Sequence, residues 1–157
     1  MIIRPAKDKD LFKIIDLVMS SKAVSPYSSI PVDRDAMFGS VKRAVSHKLS
    51  CVLVAEASDT LGGVVMGTAS ELWYSRNKRC ADPAIFYCTI LEAAPRLAQA
   101  YLDWAWSIKS VVSVTFSVAS KYDPTLEDSV FEEVGLSEAG HTWVAMKPIQ
   151  EKRYESG

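Results

Sequence analysis

The sequence predicts an α/β fold, a mixed sheet with helices covering its faces. Three observations carry this. Short apolar or β-branched runs such as "CVLVAEA" and "VVSVTFSVAS" have the composition of strands. Other stretches repeat their apolar residues at helical spacing, as Leu11, Ile14, Ile15 and Val18 do. Capping residues and helix breakers stand at the joints between the two kinds of segment. The predicted order is β-α-α-β-β-β-α-β-α-β, and its strand–helix–strand units should be right-handed crossovers. The 157 residues are expected to form one domain over 1–149, with "QEKRYESG" (150–157) as a flexible tail.

Taken in order, "MIIRPA" is the first strand, and Asp8 caps the helix of Leu11 to Val18. "SPYSSIP" is a loop. Asp33 then caps a second helix, with Met37, Phe38, Val41 and Val45 along its apolar stripe. Cys51 to Ala57 and Val64 to Tyr74 are strands, joined by the turn "SDTLGG" into a hairpin. "SRNKRCAD" reads as a polar, basic loop. Pro83 to Ile90 is nearly continuously apolar and therefore a central strand.

The following helix runs from Ala93 to Ser107, with Leu97, Tyr101, Trp104 and Ala105 on one side. Trp104 and Trp106 are two residues apart and cannot share a helix face, so one is exposed or covered by a partner. Val111 to Ser120 is the next strand. Asp123, Pro124 and Gly135 cap, open and stop the last helix. "HTWVAMKPI" is the final strand.

With 18 basic and 19 acidic residues, the formal net charge is −1, which offers a polyanion no bulk attraction. No nucleic-acid partner is expected. No apolar run approaches the roughly 18 residues of a membrane span, and "MIIRPAKDKD" does not read as a signal peptide. Three cysteines, Cys51, Cys80 and Cys88, without CxxC spacing fit a reducing cytoplasm. With His47 and His141 as the only histidines, no metal is expected.

The element order, together with "VFEEVGLSEAGHTWVAMK" (Val130 to Lys147), resembles the GCN5-related N-acetyltransferase (GNAT) superfamily over nearly the whole chain. "SPYSSIPVD", "ELWYSRNKRCADPAIFY" and "YLDWAWSIK" are also similar to small acetyltransferase-like proteins of bacteriophages. The resemblance implies transfer of an acetyl group from acetyl-CoA to an amine on a small molecule or a protein. It implies central strands that splay into a wedge for the pantetheine arm. It places the donor along Tyr87, Cys88 and Thr89 and at Ala93, Ala94 and Arg96, where the next helix begins. A homodimer and a location in the host cytoplasm or a virion are implied as well.

Two departures from the family pattern stand in the sequence. The family holds its diphosphate on a glycine-rich loop, because a Cβ would obstruct the approach of backbone N–H groups. Here that place is "TILEAAPRLA", without glycine, with Glu92 opposing negative charge and Pro95 lacking an N–H. The family's acid tyrosine, four residues before the glycine after the last helix, is Phe131, which has no hydroxyl. Tyr122 is the candidate replacement. Glu56, Glu71 and Asp82 are the candidate general bases. Two functions follow: an acetyl-CoA-dependent N-acetyltransferase of retained or weakened activity, or an inactive scaffold serving as a virion component or a host-protein-binding module.

Overall fold

The computed structural model describes residues 1–117, 124–140 and 145–146. β1 (Ile2–Pro5) leads through a 3-10 turn (Asp8–Asp10) into α1 (Leu11–Ala23), followed by α2 (Arg34–Ser46). β2 (Ser50–Ala57), β3 (Thr60–Leu72) and β4 (Ser75–Cys88) come next. A second 3-10 turn (Leu91–Ala93) precedes α3 (Ala94–Ser107), then β5 (Val111–Val114) and α4 (Pro124–Glu133). The strands form one sheet in the order β1-β2-β3-β4-β5. Its first four strands are antiparallel neighbours, and β5 runs parallel to β4.

The predicted helices bury the faces their periodicity marks out. Leu11, Ile14, Ile15 and Val18 of α1 are buried, as is Val41 of α2. Ile14, Val18 and Val41 meet Val52, Val54 and Val64 on one side of the sheet. On the other side, Leu97, Tyr101 and Ala105 of α3 meet Leu53, Val65, Ala69 and Val111. Trp106 is exposed and Trp104 partly buried, which resolves the pair as their spacing requires. Gly135 ends α4 in a left-handed turn at φ 82°, and the Leu136 N–H closes it on the Phe131 carbonyl at 2.9 Å. Asp123 and most of the predicted final strand lie outside the described residues.

Four expectations need correction. The start of α1 is closed by Asp10 rather than Asp8: the buried Asp10 carboxylate accepts the Lys7 N–H at 2.8 Å. "SRNKRCAD" is the first half of β4 and not a loop, paired with β3 from Ser75↔Leu72 through Asp82↔Thr68. Backbone pairing organises this segment while most of its polar side chains remain in solvent, so side-chain polarity conceals it. The hairpin turn at "SDTLGG" is confined to Ser58 and Asp59, both at positive φ, and β3 starts at Thr60. Finally, β4 ends at Cys88 rather than Ile90: Thr89 makes the last bonds to β3, donating both its N–H (2.7 Å) and its hydroxyl (3.0 Å) to the Gly62 carbonyl, and a 3-10 turn then begins at Leu91.

Arg4 ties the first elements together. Its guanidinium reaches Asp10 at 2.7 and 3.0 Å and Glu56 of β2 at 2.6 Å. The hydrogen bond from Arg4 lowers the Asp10 carboxyl to about 2 and lowers that of Glu56, while the two carboxylates raise the pKa of Arg4. Glu56 therefore serves as a structural anion.

Candidate functional site

The sheet opens between β4 and β5. Their pairing runs from Arg79↔Val111 to Ala81↔Val114, and the Thr115 N–H still reaches the Ala81 carbonyl at 3.0 Å. β4 then continues to Cys88 with no described strand beside that half of its outer edge. Pro83 lies at the point of separation, with no N–H to offer a neighbour. A register shift follows it: Pro83 faces Gly67 while Ile85 faces Met66, which leaves Ala84 bulged.

A surface cleft of about 580 Å³ adjoins this bulge, between the end of α2 and strands β2 to β4. Ser40, Arg43 and His47 line one wall, and Ser50, Thr68 and Ala84 belong to the opposite one. Thr68 pairs with Asp82, so both side chains stand on the α2 face of the sheet. Partial burial raises the Asp82 carboxyl above its ordinary value, although the residue keeps solvent access. Asp82 thus lies beside the strand opening, one strand over from Thr68 of the cleft wall.

The other candidate bases are placed differently. Glu71, three residues after Thr68, alternates to the opposite face, and its carboxylate accepts the Asn77 N–H at 3.1 Å. Asn77 is at φ 62°, so Glu71 braces an unusual backbone turn. Tyr122 lies outside the described residues. Phe131 packs against Phe116 and Phe86, with ring centroids 4.9 and 5.5 Å apart, and Phe86 meets Phe116 at 5.6 Å. Where the backbones of β4 and β5 have parted, these rings join the two segments on the α4 side.

The residues expected at the donor corner are neighbours in space, but several are already engaged. The Ala93 N–H donates to the Ile90 carbonyl at 2.9 Å, and the Ala94 N–H donates to that of Leu91. Pro95 has no N–H. Ala93 and Ala94 are buried, whereas Glu92 and Arg96 are exposed. The Cys88 thiol lies 3.1 Å from the Ile90 carbonyl, and burial raises its pKa, which disfavours a thiolate. Tyr87 packs with the α1 core on the other face.

Two features of this region escape a sequence reading. Gly67 lets α3 approach closely: a Cβ there would meet the Tyr101 hydroxyl, the Asp82 carbonyl at 2.6 Å and Pro83 Cα at 2.7 Å. The Tyr101 hydroxyl is fully buried and has no hydrogen-bond partner among the described residues, and burial raises its pKa. Tyr101→Phe is expected to raise stability by about 1 kcal/mol, since it removes an unsatisfied polar group and keeps the ring. A stability lowered by about 1 kcal/mol in urea unfolding would show that the hydroxyl has a partner. Among the described residues, no group of three His, Cys, Asp or Glu is arranged to hold a metal ion. None of the described helices is long and apolar enough to cross a membrane.

No family model and no curated protein matches the sequence, but solved structures match the fold. AAC(6′)-Iy in complex with the bisubstrate analogue CoA-S-monomethyl-acetylneamine superposes with a TM-score of 0.68 at 14% identity, covering 94% of this chain and 98% of that one. The aminoglycoside 6′-N-acetyltransferase AAC(6′)-IG from Acinetobacter haemolyticus gives 0.66 at 13% identity, with 95% and 99% covered. A protein from Thermus thermophilus gives 0.64 at 18% identity, with 97% and 100% covered. The five-stranded curled sheet, its parted β4 and β5 and the helices on both faces are those of the GNAT acetyltransferase fold.

Proposed function

We propose that this chain is an N-acetyltransferase-like protein that acylates an amine held in the α2 cleft, with Asp82 as general base and a weakened hold on acetyl-CoA. One observation carries the reading. β5 leaves β4 immediately beside Asp82, a carboxylate of raised pKa whose partner across the strand pair, Thr68, lines the cleft.

At neutral pH an aliphatic amine is protonated and cannot attack a carbonyl. Asp82 can accept that proton, and its raised pKa makes it a better base than an ordinary aspartate. The cleft wall from Ser50 and Thr68 holds the amine near it, which supplies proximity as well as deprotonation. Tyr122 is the acid proposed from the sequence, because Phe131 cannot donate a proton.

The residues fit acetyl-CoA only in part. An open strand edge with an aromatic wall suits the slender thioester arm. The start of α3 does not fit the diphosphate: two of its amides are spent, Pro95 offers none, and Glu92 adds negative charge beside Arg96. Donor affinity should therefore be low, and the arm should supply most of it.

The test is a thermal-shift titration with acetyl-CoA. Stabilisation that develops only toward millimolar ligand is expected, growing as the logarithm of concentration above Kd. No shift at millimolar ligand would overturn the reading. Asp82→Asn should lower turnover at least about 100-fold while leaving the donor-induced shift unchanged. An unaltered rate would remove Asp82 from its role.

A second reading is supported by the β3–β4 hairpin tip, where Trp73 is 95% and Tyr74 68% exposed. These rings meet edge to face at 5.2 Å, beside Arg76 and Lys78, far along the hairpin from the cleft. Such a tip suits a host-protein or phage-protein partner or a homodimer, since exposed Trp, Tyr and Arg commonly anchor interfaces. A light-scattering mass equal to the monomer, unchanged in Trp73→Ala, would exclude the homodimer.

A further inference from the structure

We infer that the acceptor amine also carries an anionic group, a carboxylate or phosphate, and that Arg43 binds it. This rests on the α2 cleft being the acceptor site, as proposed above. Arg43 stands in the last turn of α2 and lines the cleft. One of its terminal nitrogens donates to the Ser40 hydroxyl at 3.1 Å, and Ser40 in turn donates to the Ala36 carbonyl at 2.9 Å. Ser40 thereby holds one prong of the guanidinium, and among the described residues its other N–H groups have no acceptor. Among the described residues, no carboxylate pairs with Arg43.

The rest of that wall adds donors. His47 accepts the Leu49 N–H on Nδ1 at 3.2 Å, so in the neutral ring Nε2 carries the hydrogen and can donate. The opposite wall contains no cation: the Ser50 and Thr68 hydroxyls lie 3.4 Å apart, and Thr68 leads across the strand pair to Asp82. The cleft therefore has a cationic pole on α2, and the acidic Asp82 stands next to its opposite wall, across the strand pair from Thr68. A zwitterion matches both, with its ammonium toward Asp82 and its anion on the fork of Arg43. A polyamine or an aminoglycoside would bring a further cation against Arg43.

The experiment uses matched pairs of amines: O-phosphoethanolamine against ethanolamine and γ-aminobutyrate against butylamine, with spermidine as the polycation. In an acetylation assay, the anionic member of at least one pair should be preferred about tenfold or more in kcat/KM. Arg43→Ala should erase that preference through KM, and Arg43→Lys should restore part of it. Equal use of both members of each pair, or preference for spermidine, would overturn the inference. A second measurement omits the acyl donor and follows the thermal shift with the same amines. If no amine is acetylated, acyl transfer fails as the function, and this second measurement still decides the cleft's preference. Stabilisation by an anionic amine that vanishes in Arg43→Ala would sustain it. No stabilisation by either anionic amine would refute it.

Discussion

Arg4→Ala is expected to lower stability by about 3 kcal/mol, because it strands Asp10 as a buried, unpaired carboxylate. Asp10 is 3% exposed and receives two of the guanidinium nitrogens as well as the Lys7 N–H. Without Arg4, only one backbone N–H remains to hold that charge, and Glu56 loses its partner too. The same arrangement sets an acid response. Asp10 is lowered from 3.8 to about 2 on folding. A carboxylate depressed in this way stabilises the fold above its unfolded pKa, and the contribution disappears as pH falls through the folded value. The wild type should lose about 2 kcal/mol from this group between roughly pH 4 and pH 2. In Arg4→Ala that slope should be largely gone. Urea unfolding at pH 7, 4 and 2.5 measures both effects. A variant within about 0.5 kcal/mol of the wild type at pH 7 would refute the account, since that is the range of ordinary surface substitutions.

The Gly67→Val variant should fail to fold or lose more than about 3 kcal/mol, beyond the usual cost of overpacking. Even its first side-chain carbon would meet backbone on two sides, the Asp82 carbonyl and Pro83 Cα, in addition to the Tyr101 hydroxyl. Backbone within a strand cannot rotate out of the way as a flexible side chain can. Tyr101→Phe in the same chain removes only the hydroxyl contact, so it should rescue the variant incompletely. Full rescue would show that Tyr101 is the sole obstacle. If Gly67→Val unfolds with a midpoint near that of the wild type, the close approach of β3 to the bulge of β4 is wrong. That bulge positions Asp82, so any folded Gly67→Ala protein should also show impaired catalysis if the proposed chemistry holds.

The departure of the corner at α3 from a phosphate-binding loop illustrates a limit of sequence motifs. Missing glycines and Glu92 were visible in "TILEAAPRLA", and they predicted a poor diphosphate site. Which amides are spent was not visible. It depends on the 3-10 turn at Leu91–Ala93, which follows the last bonds of β4 to β3, from Thr89 to Gly62, 27 residues earlier in the chain. Asp82 was a candidate from its place before an apolar strand. Arg43 was not, because its significance comes from facing a cleft whose other wall belongs to different strands.

What the sequence by itself determined is the set of helices, the buried faces of α1, α2 and α3, and the order of elements from β1 to α4. Spacing of apolar residues and the chemistry of caps act within a few residues, so α1, α2 and α3 are legible locally. Only the tertiary structure decided that "SRNKRCAD" is a strand and that Asp10 answers Arg4. Each of these results from segments far apart in the chain satisfying one another's hydrogen bonds and charges, and local composition carries no record of that pairing.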